Sequence, residues 1–229
     1  MKIIIATIKS WNIDYAKKFQ EKYSDYDVEL IKDNTELTYQ RIEDFNPDYI
    51  FFPHWSWIIP EEIYDNFNCI VFHMTDLPFG RGGSPLQNLI VRGIENTKIS
   101  ALEVDGVIDT GDIYLKEDLN LNGSAEEIFI RAAEIIFKRM IPEILNNDIN
   151  PQPQEGQVVE FDRRKPAQSE LKKDFDLEKI YDYIRMLDAE GYPEAFIKFG
   201  DYKLKFSRAN LKYKKIIADV EIMEDEENE

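Results

Sequence analysis

The chain has 229 residues, of which 43% are hydrophobic, and this is enough apolar material to bury a core. Its 28 Lys and Arg against 45 Asp and Glu give a formal net charge of −17, which repels phosphate backbones, so we expect no tRNA or DNA partner. A single cysteine, Cys69, excludes an internal disulfide, and we see neither a leader nor a membrane-spanning apolar run, so we expect a cytoplasmic protein without membrane contact.

The N-terminal part of the chain alternates strand and helix patterns. Residues 2–8 form a short β-branched run typical of a buried parallel strand, and residues 12–23 follow with helical spacing. Further strands are predicted at 28–31, 49–52, 69–73, 98–104 and 113–119, and helices at 36–45, 60–66, 84–93 and 124–145. The alternation predicts an α/β fold over residues 1–150, a Rossmann-like doubly wound sheet.

Three local signals refine the predicted helices. Ser84 is a candidate N-cap, and Ser124 followed by Glu127 has the spacing of a capping box. Pro142 lies inside the last predicted helix, and we expect it to bend or end that helix.

The C-terminal part has a different pattern. Residues 146–157 (NNDINPQPQEGQ) are polar and contain two prolines, which predicts a linker. Beyond it we predict short strands at 158–161, 195–199, 202–206 and 214–222 and a helix at 177–187. Residues 151–229 are therefore expected to form a small, mainly β C-terminal domain, with an acidic tail at 221–229 that frays.

Polar residues at the carboxyl ends of parallel strands are the first candidates for a site, because ligands bind there in α/β sheets. His73 ends one predicted strand and precedes the turn-rich loop 74–83, so it is a candidate acid or base or else a local strand cap. Asp109 lies in DGVIDTGD, where the preference of turns for Asp, Gly and Thr alone accounts for the composition, although a carboxylate there can orient a histidine or take a proton. The absence of G-x-G-x-x-G gives no case for NAD, and two unpaired histidines give none for a metal.

Two motifs together resemble a known family. The stretch 71–87 (VFHMTDLPFGRGGSPLQ) followed by 107–112 (VIDTGD) is similar to the N-x-H, LP, RG, P-x-Q and D-T-G-D pattern of N10-formyltetrahydrofolate-dependent formyltransferases. The resemblance implies the formyltransferase fold and N10-formyltetrahydrofolate as formyl donor. It also implies that His73 stabilises the oxyanion or acts as a base, while Asp109 orients His73 and relays a proton from the amine.

The same resemblance assigns further site residues. It implies folate contacts, largely through backbone, at Pro53, His54, Leu77, Pro78 and Asp105. Candidates for substrate binding are Lys9, Trp11, Arg81 and Gly82, with Arg163 and Arg164 as further partners for a pyrophosphate. Ordinary packing remains the alternative for Trp11, as it does for Trp55 and Trp57, and a solvated surface charge is the alternative for each cation.

The sequence departs from the family pattern at one position. Val71 stands where the family has an asparagine, and this removes an oxyanion donor that contributes about 2–4 kcal/mol to transition-state stabilisation. His54 and Thr75 are candidate replacements. A non-catalytic relative that binds folate without turnover is the alternative.

For the acceptor, the acidic charge and the short C-terminal part favour a sugar over tRNA. Residues 161–165 and 191–199 resemble segments of sugar N-formyltransferases. The resemblance thus implies formylation of a nucleotide-linked 4-amino-4,6-dideoxy sugar in cell-surface polysaccharide biosynthesis, by an enzyme that forms a homodimer through its C-terminal part. Glycinamide ribonucleotide and methionyl-tRNA are the alternative acceptors.

Overall fold

The computed structural model describes residues 1–225 and divides into two compact units, each assembled from separate segments. Unit 1 consists of Met1–Gly82, Asn96–Leu119 and Ile130–Glu160, and unit 2 of Gly83–Glu95, Asn120–Phe129 and the residues from Phe161 onward. The predicted boundary between residues 150 and 151 stays a prediction.

Unit 1 contains the predicted sheet. Its strands and those of a separate two-stranded pair are β1 (Lys2–Ala6), β2 (Asp27–Ile31), β3 (Tyr49–Phe52), β4 (Cys69–His73), β5 (Phe79–Gly82), β6 (Asn96–Glu103), β7 (Ile113–Asn120) and β8 (Val159–Phe161). The six-stranded sheet has the order β2-β1-β3-β4-β6-β7; β1 to β4 are parallel and β6 is antiparallel to β4. β5 pairs with β8 separately. The predicted α/β architecture is confirmed.

The apolar run at the N-terminus explains the position of β1 in the sheet. β1 lies between β2 and β3, and Ile3, Ile4 and Ile5 are all fully buried. Successive side chains of a strand point to opposite faces, so an unbroken apolar run needs cover on both faces. Parallel pairing of β1, β3 and β4 then brings their carboxyl ends to one edge, where the loops that follow them meet.

The helices follow the predicted order. They are α1 (Ser10–Lys22), α2 (Tyr39–Phe45), α3 (Glu61–Tyr64), α4 (Pro85–Ile90), α5 (Ala125–Ile135), α6 (Ile141–Asn146) and α7 (Leu177–Arg185). The capping box at the start of α5 is confirmed, because the amide of Ser124 donates to Glu127 and the amide of Glu127 donates to the Ser124 hydroxyl. Ser84 precedes α4 in a left-handed conformation and makes no side-chain cap.

The predicted helix at 124–145 contains an irregularity. A π-helical turn, Ile136–Met140, separates α5 from α6, and Pro142 lies in the first turn of α6. Proline has no N–H to donate to the carbonyl one turn back and its ring collides with that carbonyl, so the wider turn directly before it relieves the conflict. Pro142 therefore distorts the helix without ending it.

Unit 2 contains an antiparallel sheet of β9 (Ala195–Phe199), β10 (Tyr202–Lys212) and β11 (Lys215–Glu224), in the order β11-β10-β9, with α7 packed against β10. The mainly β character of the C-terminal part is confirmed. The expectation that residues 221–229 fray is wrong for 221–224, because they pair with β10, and Asp225 forms an ion pair with Lys198 at 3.1 Å. Residues 226–229 lie outside the described part of the chain.

Within residues 1–225, no helix combines the length and the apolar character needed to cross a lipid bilayer.

Candidate active site

His73 is the last residue of β4 and its side chain is 9% exposed. Its Nδ1 lies 3.3 Å from Oδ2 of Asp109, and its Nε2 lies 2.7 Å from the carbonyl oxygen of Gly80. The two ring nitrogens thus each contact an oxygen, one in the 105–112 turn and one in β5. The ring is therefore fixed from two sides.

Asp109 lies in the turn between β6 and β7, with φ of 58° in the left-handed region that Asp and Asn tolerate better than most residues. Its Oδ2 accepts the Gly82 amide at 2.8 Å as well as facing His73. The side chain is 13% exposed. The structure thus brings together the two residues that were predicted to be catalytic, although 36 positions separate them; their roles stay predictions.

The loop that follows His73 is held by Lys116 and Ser100. Lys116 Nζ binds the Asp76 carboxylate at 2.6 Å and also the carbonyl of Leu77, while the Ser100 hydroxyl donates to the carbonyl of Thr75 at 2.8 Å. The turn-forming residues of 74–83 predict an irregular loop, whereas its second half forms β5. The pairing of β5 with β8 sets the positions of the Gly80 carbonyl, which contacts His73, and the Gly82 amide, which donates to Asp109.

Gln154 connects the two loops that contact His73. Its Oε1 accepts from Nε and Nη2 of Arg81 at 3.1 and 2.8 Å, and its Nε2 donates to the carbonyls of Asp109 and Gly111, both at 2.9 Å. All four hydrogen-bonding positions of the amide are used. Nothing in the sequence singles out this residue, since it lies in the predicted linker and two of its partners are main-chain atoms more than 40 positions away.

The four predicted substrate contacts fall into two groups. Arg81 binds Gln154 and Gly82 donates to Asp109, so both belong to the framework around His73. Lys9 and Trp11 lie beyond the carboxyl end of β1. Lys9 Nζ is 5.8 Å from the centre of the Trp11 ring, and the centres of the Trp11 and His54 rings are 5.9 Å apart in a T-shaped arrangement.

The predicted folate residues differ in what they can offer a ligand. Leu77 and Pro78 are buried, and the carbonyl of Pro53 already accepts from the Thr7 hydroxyl at 2.6 Å. Asp105 binds the Thr110 hydroxyl within its own turn. Burial, with the charge of nearby Lys9, lowers the pKa of His54 from its ordinary 6.5 to about 4, so its imidazole is neutral at physiological pH.

Aromatic and aliphatic side chains are exposed in two loops, one at the carboxyl edge of the parallel strands and one after β6, which runs antiparallel to β4. Trp57 and Ile58 follow β3, and Val107 and Ile108 follow β6. The indole N–H of Trp55 is buried and has no hydrogen-bond partner in the part of the chain that the structure describes. A flat, partly polar ring system would supply the acceptor and apolar contact that these groups lack.

Val71 packs against the apolar cluster of unit 1, two residues before His73 on the same face of β4. Of its two candidate replacements as oxyanion donor, Thr75 is fully buried with its hydroxyl 3.4 Å from the Gly80 carbonyl, and His54 packs against Trp11. Arg164, a further candidate cation, lies over the Tyr183 ring and donates to the carbonyl of Gln168. Among residues 1–225, no three His, Cys, Asp or Glu side chains gather as metal ligands.

Comparison with known proteins adds to this geometry. Residues 166–223 match the family "Methionyl-tRNA formyltransferase, C-terminal domain". A solved structure described as methionyl-tRNA formyltransferase from Clostridium thermocellum is 65% identical, with a TM-score of 0.97 over 98% of this chain and 100% of that chain. Methionyl-tRNA formyltransferase from Clostridium botulinum is 24% identical over 83% of this chain and 63% of its own length.

These similarities correct the predicted acceptor and partner. A sugar N-formyltransferase from Shewanella sp is only 13% identical at a TM-score of 0.68 and shares the fold alone, whereas the 65% identical protein is described as acting on methionyl-tRNA. The prediction of an amino-sugar substrate, with its role in polysaccharide biosynthesis and its exclusion of nucleic acid, is therefore wrong.

The chain spans less than two thirds of the length of the first curated relatives that it matches. It aligns over the whole of the 65% identical structure, and its fold and paired motifs agree with that assignment. The chain belongs to the formyltransferase family.

Proposed function

We propose that the chain transfers the formyl group of N10-formyltetrahydrofolate to the α-amino group of methionyl-tRNA. The observation that carries the chemistry is the buried pair of His73 and Asp109, 3.3 Å apart at the carboxyl edge of the sheet. The similarity to proteins named methionyl-tRNA formyltransferase supports the choice of acceptor.

Asp109 is suited to remove a proton from the attacking amine. An amine that forms a bond to carbon becomes cationic and has to lose a proton, and a nearby carboxylate can accept it. The Gly82 amide and the His73 ring hold Oδ2 of Asp109 in one orientation, so little reorganisation is needed when the proton moves.

His73 is the donor best placed to stabilise the negative charge that develops during transfer. Val71 has no donor to offer, and the Thr75 hydroxyl points at the Gly80 carbonyl. Nε2 of His73 contacts the same carbonyl at 2.7 Å, so we infer that this nitrogen exchanges Gly80 for the developing oxyanion during the reaction.

The residues at this edge fit a folate. The unpartnered indole N–H of Trp55, within the described chain, suits a polar edge of the pterin, and the exposed side chains of Trp57 and Ile58 suit its faces. When bound, the folate supplies an activated formyl carbon. The protein's part is to hold it, exclude water and handle the proton.

The net charge of −17 is compatible with a tRNA partner because the charge is unevenly distributed. Residues 1–160 contain 14 Lys and Arg against 28 Asp and Glu, whereas residues 161–225 contain 14 of each. Residues 195–216, which cover β9, β10, the turn and the start of β11, hold seven basic residues and one acid, Asp201. Two of the seven, Arg208 and Lys198, form ion pairs with Asp219 and Asp225. Lys212, Tyr213, Lys214 and Lys215 at the tip of the hairpin are all exposed, and such a tip can contact phosphates and stack on a base.

The experiment is a formylation assay of the purified chain with N10-formyltetrahydrofolate and methionyl-tRNA, with release of tetrahydrofolate as the readout. Free methionine plus uncharged tRNA is the matched control, since it supplies the same parts without the aminoacyl ester. Release that requires the charged tRNA supports the proposal. Folate binding without release in the presence of methionyl-tRNA, or transfer to glycinamide ribonucleotide alone, overturns it.

A further inference from the structure

Gln154 lies in an extended segment whose composition is that of a linker, yet its side chain bonds to the framework of the site. We propose that Gln154 is a positioning residue that fixes the Asp109 carboxylate against His73; this inference rests on the proposed function for its catalytic consequence. Gln154 does not contact His73 and acts through the loops that do.

The first support comes from the backbone of Asp109. Asp109 has a φ of 58°, in a region that is sparsely populated although Asp tolerates it better than most residues, so contacts that hold this turn help to keep it there. Gln154 Nε2 donates to the carbonyls of Asp109 and Gly111, on either side of Thr110, and so clamps the turn at two points. With the backbone clamped, Oδ2 of Asp109 stays within reach of His73 Nδ1.

The second support comes from Arg81. Gln154 Oε1 accepts both Nε and Nη2 of this residue, and Arg81 stands between Gly80, whose carbonyl faces His73 Nε2, and Gly82, whose amide donates to Asp109. One amide therefore ties β5 to the 105–112 turn. Every neighbour that the structure gives to the two His73 nitrogens belongs to one of these two segments.

The third support is the anchoring of Gln154 itself. The backbone of Gln152 pairs with Ile113 through two hydrogen bonds, of 2.8 and 3.0 Å, directly beyond the turn that holds Asp109. The side chain of Gln154 thus reaches the site from a fixed segment, and a short or charged replacement cannot compensate by movement of the chain.

The test compares Gln154→Ala and Gln154→Glu with Gln152→Ala, whose side chain is exposed and bonds only to neighbouring carbonyls. We expect kcat for formylation of methionyl-tRNA to fall about 10- to 100-fold in Gln154→Ala, with KM little changed, because misplacement of a catalytic group acts on the chemical step. Gln154→Glu keeps the acceptor for Arg81 but places a carboxylate against two carbonyls, so we expect an equal or larger loss. A Glu variant with wild-type kcat overturns the proposal.

A second readout does not depend on activity. The chain has two histidines, so the imidazole ¹⁵N signals of His73 can be followed with those of His54 as an internal reference. We expect Gln154→Ala to move the His73 signals while those of His54 stay in place. Unchanged His73 signals in a folded Gln154→Ala or Gln154→Glu protein overturn the proposal. If the wild-type chain does not formylate methionyl-tRNA but Gln154→Ala alters the His73 signals, the positioning role of Gln154 is supported and the proposed function is rejected.

Discussion

Replacement of Asp109 by asparagine removes the charge that faces His73 and keeps the shape of the side chain. The fold should survive, because asparagine tolerates the left-handed backbone at this position and its Oδ1 can still accept the Gly82 amide. The change from a charged to a neutral acceptor costs about 1 kcal/mol of unfolding free energy. For a protein of this size that corresponds to a fall in Tm of about 2–4 °C.

The effect on activity is expected to be far larger. An amide cannot take the proton from the amine and does not hold the His73 Nδ1 hydrogen with a charge, so kcat should fall by about 10²–10⁴. The assay is single-turnover formylation of methionyl-tRNA, with the Tm measured on the same sample. Asp118→Asn is the matched control, since that carboxylate is 88% exposed on β7. An Asp109→Asn protein that keeps most of the wild-type kcat refutes the assignment of Asp109.

Three further predictions concern other parts of the chain. The pKa of His54 is lowered to about 4 in the folded protein, so below pH 6.5 the unfolded chain binds a proton that the folded chain does not bind. The free energy of unfolding should therefore fall on the order of 2 kcal/mol between pH 7 and 5. Urea unfolding of wild type and His54→Asn at both pH values checks this, and an equal pH dependence of the two proteins contradicts it. Gly111→Ala places a Cβ 2.1 Å from the carbonyl of Glu103 and should cost about 1–3 kcal/mol in thermal unfolding; an unchanged Tm contradicts that close approach. Reversal of the lysine charges at 212–215 should weaken tRNA binding. It should also lower the slope of log affinity against log salt concentration by about 1 for each phosphate that the tip no longer binds, as measured by filter binding between low and high salt. An unchanged slope excludes this tip from the tRNA interface.

Most strands could be predicted because each is an apolar or alternating run between turn residues. The bounds predicted for β3, β4 and β9 match those of the structure. β5 could not be predicted, since half of Phe79–Gly82 is glycine and its pairing partner, β8, lies about 80 positions away. The π-helical turn before Pro142 also depends on how the folded chain relieves a local steric conflict, which the sequence alone does not determine.

The site could be predicted only in part. His73 lies at the end of a predicted strand and Asp109 in a turn between two others, and the resemblance in motif and spacing selected both as candidates, whose roles stay predictions. Gln154 could not be selected, because its role depends on hydrogen bonds to main-chain atoms that only the folded loops bring together. The acceptor was predicted wrongly because the net charge averages an acidic segment, 1–160, with a neutral one, 161–225.

The most direct test of the central claim is the mass of the recovered methionine. Methionyl-tRNA is incubated with the chain and N10-formyltetrahydrofolate, and the aminoacyl ester is then hydrolysed to release the methionine. We predict that the wild-type chain adds one formyl group to the α-amino group and that the Asp109→Asn chain adds almost none in the same time. Methionine recovered without a formyl group from the wild-type reaction, with folded protein and intact donor, contradicts the account.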